Sequence, residues 1–400
     1  MLARSAVRDL GRVAAGDRVC VAGRVVANGE GSFTLQDDTG CVTVVLAEPP
    51  ALGAFVRVTA RYREQRLSEV TELVAVTRGD DQFMRGESDW TFLSGTRLAN
   101  LRSRHALLRA TREFMDGLGL LEVDTPAIVP CPGLDVHLDA IEVLGMRGPR
   151  WLHTSPEYQM KRLLTTGLPG IYQLGKAFRR GERGRLHEPE FSLLEWYRTF
   201  SDAAQMRHDT EHLVAHVTQT LLGGMTLKGI EAEVDVTPPW PHISVEQAFD
   251  RYAGIALESV LHDEERFFRV LVEKIEPELG RARPVFLTHY PARMASLARL
   301  SADDPRFADR FEAYLDGVEL CNGFSELVDA AEQRKRFELD QEAREKLGRS
   351  VYPIDERFMA TLAEGIPPSG GNALGFDRLL MLIVGAKHID QVVGFPVGRV

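Results

Sequence analysis

The sequence predicts an α+β chain, with a small β-barrel at the amino end and then a larger domain in which helices accompany a sheet. Three observations carry this. Apolar and polar residues alternate in five short runs between residues 18 and 76, separated by turn-forming residues. Beyond residue 98 the period lengthens to that of amphipathic helices. Between Trp151 and Arg198, strand-like runs alternate with fixed acids and arginines, as expected of a sheet floor holding a nucleotide beside a small cationic molecule.

A chain of 400 residues with 44% hydrophobic content has material for two domains and a sizeable core. Cys20, Cys41, Cys131 and Cys321 stand far apart with no paired spacing, so neither a disulfide framework nor a cysteine zinc site is expected. They read as buried thiols in a reducing compartment. The opening residues lack the apolar stretch of a signal peptide, and no run approaches the roughly 20 apolar residues that cross a bilayer. A cytoplasmic protein with no membrane partner is the expectation. The formal charge of -10 weighs against a large RNA as partner, because RNA-wrapping proteins present a basic face, but it allows a local basic patch.

In chain order, strands are expected at 18–26, 32–37, 41–46, 55–60 and 72–76, with turn chemistry at 28–31 and 37–40. Five strands at this spacing fit an OB-fold barrel over residues 1–80. Its aromatics are Phe33, Phe55 and Tyr62 and its charges balance, so a structural or protein-docking barrel stands beside an RNA reader. Residues 81–97 read as a linker, and 98–400 as the larger domain. A helix is expected at 98–118, carrying Leu101, Leu107, Leu108, Phe114 and Met115, followed by a strand at 120–125 that Pro126 stops. Helices follow at 202–222, 263–275 and 329–347, the last read as solvent-exposed. His208, His212 and His216 share one helix face but lack the HExxH order and a nearby acid pair, which favours a solvated stripe over a metal site.

The residues Phe178-Arg179, Pro189-Glu190-Phe191 and Leu194-Glu195-Trp196-Tyr197 resemble the second signature motif of class II aminoacyl-tRNA synthetases. The helix, strand and proline at 98–126 resemble the first, which builds the dimer interface in that family, and Asn372-Ala373-Leu374-Gly375-Phe376-Asp377-Arg378 resembles the third. The resemblance implies an antiparallel class II sheet flanked by helices, a homodimer, and activation of an amino acid by ATP. Joining a carboxylate to the α-phosphate builds negative charge on phosphoryl oxygens, so cations must be aimed there. Arg179 and Arg378 are the candidates, with Mg2+. In a regular strand Glu319 and Glu326 of the segment 319–327 face opposite sides, and a bulge at Gly323 would bring both to one pocket. Acids lining a pocket favour a lysine-like substrate, because a neutral isostere leaves them unpaired.

Ser155-Pro156-Glu157-Tyr158-Gln159-Met160-Lys161-Arg162, Asp135-Val136-His137-Leu138, Phe286-Leu287-Thr288-His289-Tyr290-Pro291-Ala292 and Asn372-Ala373-Leu374-Gly375 are similar to the elongation factor P lysyltransferase family. That family adenylates (R)-β-lysine and passes it to a lysine of elongation factor P. The resemblance implies contacts to lysine or β-lysine from Ser155, Pro156, Glu157, Tyr197 and Glu326. It implies contacts to ATP from Arg179, Arg180, Glu182, Glu188, Glu319, Leu320, Gly375 and Arg378, with Glu319 also holding the metal. Ala373 stands where the tRNA enzymes prefer glycine, which suits a β-amino acid. Two departures stand out: Arg180-Gly181 replaces Asn-Glu, with Glu182 the nearest acid, and Glu188 replaces Asn. Charging of tRNA, with the barrel gripping the anticodon, is the second reading, and an inactive regulatory relative is the third.

Overall fold

Five strands, β1 (Arg18–Gly29), β2 (Ser32–Gln36), β3 (Cys41–Val45), β4 (Phe55–Arg63) and β5 (Arg66–Ala75), close a barrel in the order β1-β2-β3-β5-β4. The computed structural model describes residues 2–77, 88–295 and 297–400. Alternate residues of these strands, among them Val21, Val25, Leu35, Val44, Val56 and Val58, are fully buried and fill the interior. A slip between Val25 and Ala27 bends β1, so that it pairs with β4 along its first half and with β2 along its second. Gly23 sits at the crossing, where a Cβ would stand 2.2 Å from the Gln36 carbonyl oxygen.

The last hairpin is longer than its sequence suggests. Glu64 and Gln65 both take left-handed φ (49° and 60°), forming a two-residue turn without the asparagine or glycine that usually announces one. Phe33 is 1% exposed and belongs to the barrel core, so it offers no stacking platform for a base.

The chain divides into two compact units, residues 1–99 and 100–400. Residues 78–87, which include the first seven residues of the expected linker and the end of the expected barrel, lie outside the described residues. The rest of that linker holds α1 (Asp89–Leu93), capped by the Ser88 hydroxyl, which accepts the Thr91 amide at 3.2 Å.

α2 (Thr96–Gly117) leads to a two-residue strand, β6 (Leu121–Glu122), shorter than the six residues expected, and to a ribbon of β7 (Ile128–Val129) and β8 (Trp151–Leu152). Then come α3 (Glu157–Leu163), β9 (Gly170–Phe178), β10 (Glu190–Thr199), α4 (Ala203–Leu222) and a second ribbon of β11 (Thr226–Leu227) and β12 (Val234–Asp235). The remainder is β13 (His242–Ser244), α5 (Val245–Ala248), α6 (Glu264–Val270), β14 (Val285–Pro291), β15 (Phe307–Leu315), β16 (Val318–Ser325), α7 (Ala330–Lys346), α8 (Glu356–Glu364), β17 (Ser369–Gly375) and α9 (Phe376–Val384).

Eight strands form one sheet in the order β13-β14-β15-β16-β17-β10-β9-β6, antiparallel except where β13 and β6 join its two edges. Strand alternation gives this sheet two faces. Leu194 and Trp196 of β10 join the main core with α4 and α9, while Leu193, Glu195 and Tyr197 face a cleft.

Two surface readings change. α7 is not simply a solvated helix, because Arg344 is fully buried and donates to the carbonyls of Asp135 and Leu138 and to the Asp139 carboxylate, tying residues 135–139 down. On α4, His208 and His212 stack in the open with ring centroids 4.0 Å apart, but His216 is half-buried against Phe114. Among the described residues no helix is long and apolar enough to cross a membrane.

Candidate active site

The cleft above β10, β15, β16 and β17 has a volume of about 530 Å³, and two sets of charged side chains share it. At one end, Arg378 stands in the first turn of α9, which starts directly after Gly375. Its Nη1 donates to the Glu319 carbonyl (2.8 Å) and to Glu319 Oε2 (3.2 Å), and its Nη2 meets His187 Nε2 at 2.7 Å. Burial alone would raise the Glu319 carboxyl, but the guanidiniums of Arg378, Arg179 and Arg310 together outweigh it and hold that group below its ordinary range. Arg179 follows β9, lies 5.0 Å from the Phe191 ring centroid and pairs with Glu182 at 3.7 Å. Its Nε is buried without a protein acceptor. A flat aromatic ring, two guanidiniums and an unused buried donor fit a nucleotide polyphosphate.

Arg378 needs a rigid base. Its neighbour Asp377, 1% exposed, accepts the Ser192 amide of β10 at 2.7 Å and pairs with Arg104 of α2, which also donates to Ser192 Oγ. α2 and α9 are thereby pinned to β10.

At the other end lies an acid cluster. Ser155 Oγ donates to Glu195 Oε1 (2.6 Å) and the Tyr197 hydroxyl to Glu195 Oε2 (3.0 Å). Lys161, one turn along α3 from Glu157, donates to Glu157 Oε1 at 2.6 Å and also contacts Glu326 Oε2. Both Glu326 carboxylate oxygens are buried without a hydrogen-bond donor, and they differ in that Oε2 is met by the Lys161 ion pair while nothing charged meets Oε1. Gly371 of β17 makes room for it, since a Cβ there would stand 2.0 Å from Glu326 Oε1 and 2.5 Å from the Tyr197 ring. Burial pushes the Glu326 carboxyl up to about 8 and Glu195 up to about 7, with neighbouring carboxylates adding to the rise.

Glu319 and Glu326 do reach one cleft, but not through Gly323. The register against β15 slips so that Ala313 pairs with Cys321 and Tyr314 with Glu319, which leaves Leu320 as the extra residue. One extra residue reverses the alternation, so Glu319 joins Asn322, Phe324 and Glu326 on the cleft side. The Leu320 side chain is spent in the core, 2% exposed, so its main chain is what it can offer a ligand. Gly323 is constrained differently: a Cβ there would fall 2.5 Å from Phe311.

Of the expected site residues, Ser155, Glu157, Arg179, Glu182, Glu188, Tyr197, Glu319, Leu320, Glu326, Gly375 and Arg378 line the cleft. Pro156 and Arg180 do not. Pro156 precedes the first turn of α3, where its missing N–H costs nothing, and Arg180 is exposed beyond β9 with its amide bonded to the Asp139 carbonyl. Glu188, in the place of the expected asparagine, is buried and accepts the Val397 amide at 3.2 Å. Gly181 adopts φ +79°, a turn that leads into Glu182.

Three residues escaped the sequence reading: Lys161, Glu195 as an acceptor, and His187. Next to them, Glu312 of β15 is buried and accepts from the hydroxyls of Tyr290 and Tyr314 and from Arg310, a fully satisfied network under Glu319. No group of three or more possible metal ligands stands among the described residues.

Residues 91–399 match the family of tRNA synthetases class II (D, K and N). Three relatives, from Hamiltonella defensa, Edwardsiella ictaluri and Yersinia enterocolitica, are named "Elongation factor P--(R)-beta-lysine ligase" and are 40%, 42% and 40% identical over 313, 318 and 317 residues. The chain belongs to the class II tRNA synthetases, in the branch of the elongation factor P–(R)-β-lysine ligases. Each alignment covers 96% of the relative but 76% of this chain. Nearly the whole of these class II ligases is thus matched by three quarters of the sequence, and the barrel precedes the family match at residue 91.

Proposed function

We propose that this chain uses ATP to activate lysine or (R)-β-lysine as an aminoacyl-adenylate and transfers it to a lysine side chain of elongation factor P. One observation carries the reading: a buried Glu326 carboxylate with an unpartnered oxygen lies in the same cleft as Arg179 and Arg378. Burying an ammonium without a partner costs several kcal/mol, so such a pocket rewards a cation and rejects its neutral isostere.

In the first step a substrate carboxylate oxygen attacks the α-phosphorus and the bond to pyrophosphate breaks. Arg179 and Arg378 meet the charge that develops on the phosphoryl oxygens, and the idle Arg179 Nε supplies a donor already desolvated. A single carboxylate, Glu319, suits Mg2+, which is commonly held by one or two acids plus substrate phosphates and neutralises their charge. In the second step the neutral amine of the acceptor lysine attacks the activated carbonyl, AMP departs with the bonding electrons, and the amine proton goes to water. Ser155, Glu157, Glu195 and Tyr197 hold the substrate against Glu326 throughout.

Affinity follows pH with a definite sign. An ammonium binds to ionised carboxylates, and Glu195 and Glu326 ionise only as pH rises through about 7 and about 8. Calorimetry is expected to show lysine-isomer binding weakening about tenfold per pH unit between about pH 8 and about pH 7 and more steeply below, where both acids must release a proton on binding. A flat profile between about pH 6 and about pH 9 would mean that these acids do not meet the ligand.

Charging of tRNA is the second reading, motivated by the closed OB-type barrel. Its aromatic supply is reduced by the burial of Phe33, and Arg57, Arg61 and Arg63 are paired with Glu72 and Glu69. A dimer built on α2 and β6, and a cytoplasmic location suited to four free thiols, complete the proposal. The deciding experiment incubates the protein, ATP and each lysine isomer with elongation factor P or bulk tRNA, and weighs the products. One lysyl addition to elongation factor P is expected. Salt-sensitive charging of tRNA would favour the second reading, and no pyrophosphate exchange with any amino acid would leave the inactive regulator.

A further inference from the structure

Lys161 has a place in this site that no expectation assigned to it. It is 2% exposed, its ammonium lies between Glu157 and Glu326, and it stands 5.4 Å from the Phe324 ring centroid. A lysine so deeply buried is retained charged only if its partners outweigh desolvation. Here they do: burial lowers its basicity, but Glu157 and Glu326 together hold it above the ordinary lysine range.

The geometry around it is divided unequally. Lys161 takes one oxygen of Glu157 and one of Glu326, and leaves Glu326 Oε1 bare against Gly371 and the Tyr197 ring. Both hydrogen bonds on Glu195 come from Ser155 and Tyr197, which leaves that acid oriented without any help from Lys161. The ionisable groups facing Glu326 are thus Lys161 and Glu157 from α3 and Glu195 and Tyr197 from β10.

We propose that Lys161 is a positioning residue, an internal counter-ion that clamps Glu157 to Glu326 and presents Glu326 Oε1 to the substrate ammonium. The inference rests on the proposed function and deepens it. A carboxylate held at one oxygen by a buried cation keeps its rotamer and gives up its proton at lower pH than an unpaired one in the same place, which would also be free to swing.

The test compares wild type with K161M and K161R in lysine-isomer binding by calorimetry and in pyrophosphate exchange, from about pH 6 to about pH 9, with melting temperatures alongside. In K161M, KM for the amino acid is expected to rise at least about 30-fold while kcat changes less than about threefold, as for an interaction made in ground and transition state alike. Its acid limb should also move up by at least about one pH unit, because the cation that favoured the ionised Glu326 is gone. K161R keeps the charge but not the shape, so KM should rise with the acid limb unmoved. K161M with wild-type KM and acid limb overturns the proposal. So does a K161M that loses kcat and stability together with no change in pH profile, since that is a packing defect. If K161M does not fold, an unchanged KM in K161R overturns it. Wild-type protein that binds neither isomer refutes the proposed function itself, and the clamp with it, whereas normal wild-type binding with an indifferent K161M refutes the clamp alone.

Discussion

Replacing Arg378 by alanine is expected to lower pyrophosphate exchange by at least about 10³-fold at saturating amino acid, the scale of losing a preorganised charge at a developing oxyanion. Arg378 is held from three sides, by both the carbonyl and the carboxylate of Glu319, by the Leu186 carbonyl and by His187. That web spends most of its planar donor set on orientation, so lysine cannot take its place, and Arg378→Lys should fall nearly as far as alanine. The melting temperature serves as control, because the adjacent Asp377–Arg104 pair that anchors the helix start is untouched. Activity within tenfold of wild type would remove Arg378 from the phosphoryl site.

Glu326→Gln is the second large effect. The amide keeps the shape but loses the charge, places an N–H donor where an acceptor faced the ligand, and leaves Lys161 with Glu157 as its one carboxylate. Breaking a buried pair in this way costs about 3–5 kcal/mol, so kcat/KM for either lysine isomer should drop by about 10²- to 10³-fold, with KM for ATP near its starting value. A fully active Glu326→Gln would show that the substrate ammonium binds elsewhere.

Much of this arrangement is legible in the residues before any coordinates. Alternation at 18–76 gives the barrel, and local motifs give Arg179, Glu157, Tyr197 and Arg378 the right cleft, because each sits at a strand end or a helix start that its own neighbours define. What escapes is set by distant partners. The Glu157–Lys161 spacing reads as an ordinary surface pair on a helix, and only Glu326, arriving from the end of β16, makes it a buried triad. The bulge at Leu320 is fixed by the register against β15, which no local signal in residues 318–325 reveals. Glu64-Gln65 hides a hairpin because its residue types do not ask for left-handed backbone. Glu188 looks like a lost nucleotide contact until Val397 is found against it.

That last contact has a practical side. The final short helix, Val397–Arg399, leans on the loop between β9 and β10, the one proposed to meet ATP: Glu188 receives the Val397 amide, and Arg183 approaches Gly398 so closely that a Cβ there would stand 2.6 Å from its Nη2. A purification handle or fluorescent fusion joined after Val400 therefore pulls on the very segment whose chemistry an assay would report. Fusions are better placed ahead of the barrel, so that an altered ATP response can be read as enzymology and not as engineering.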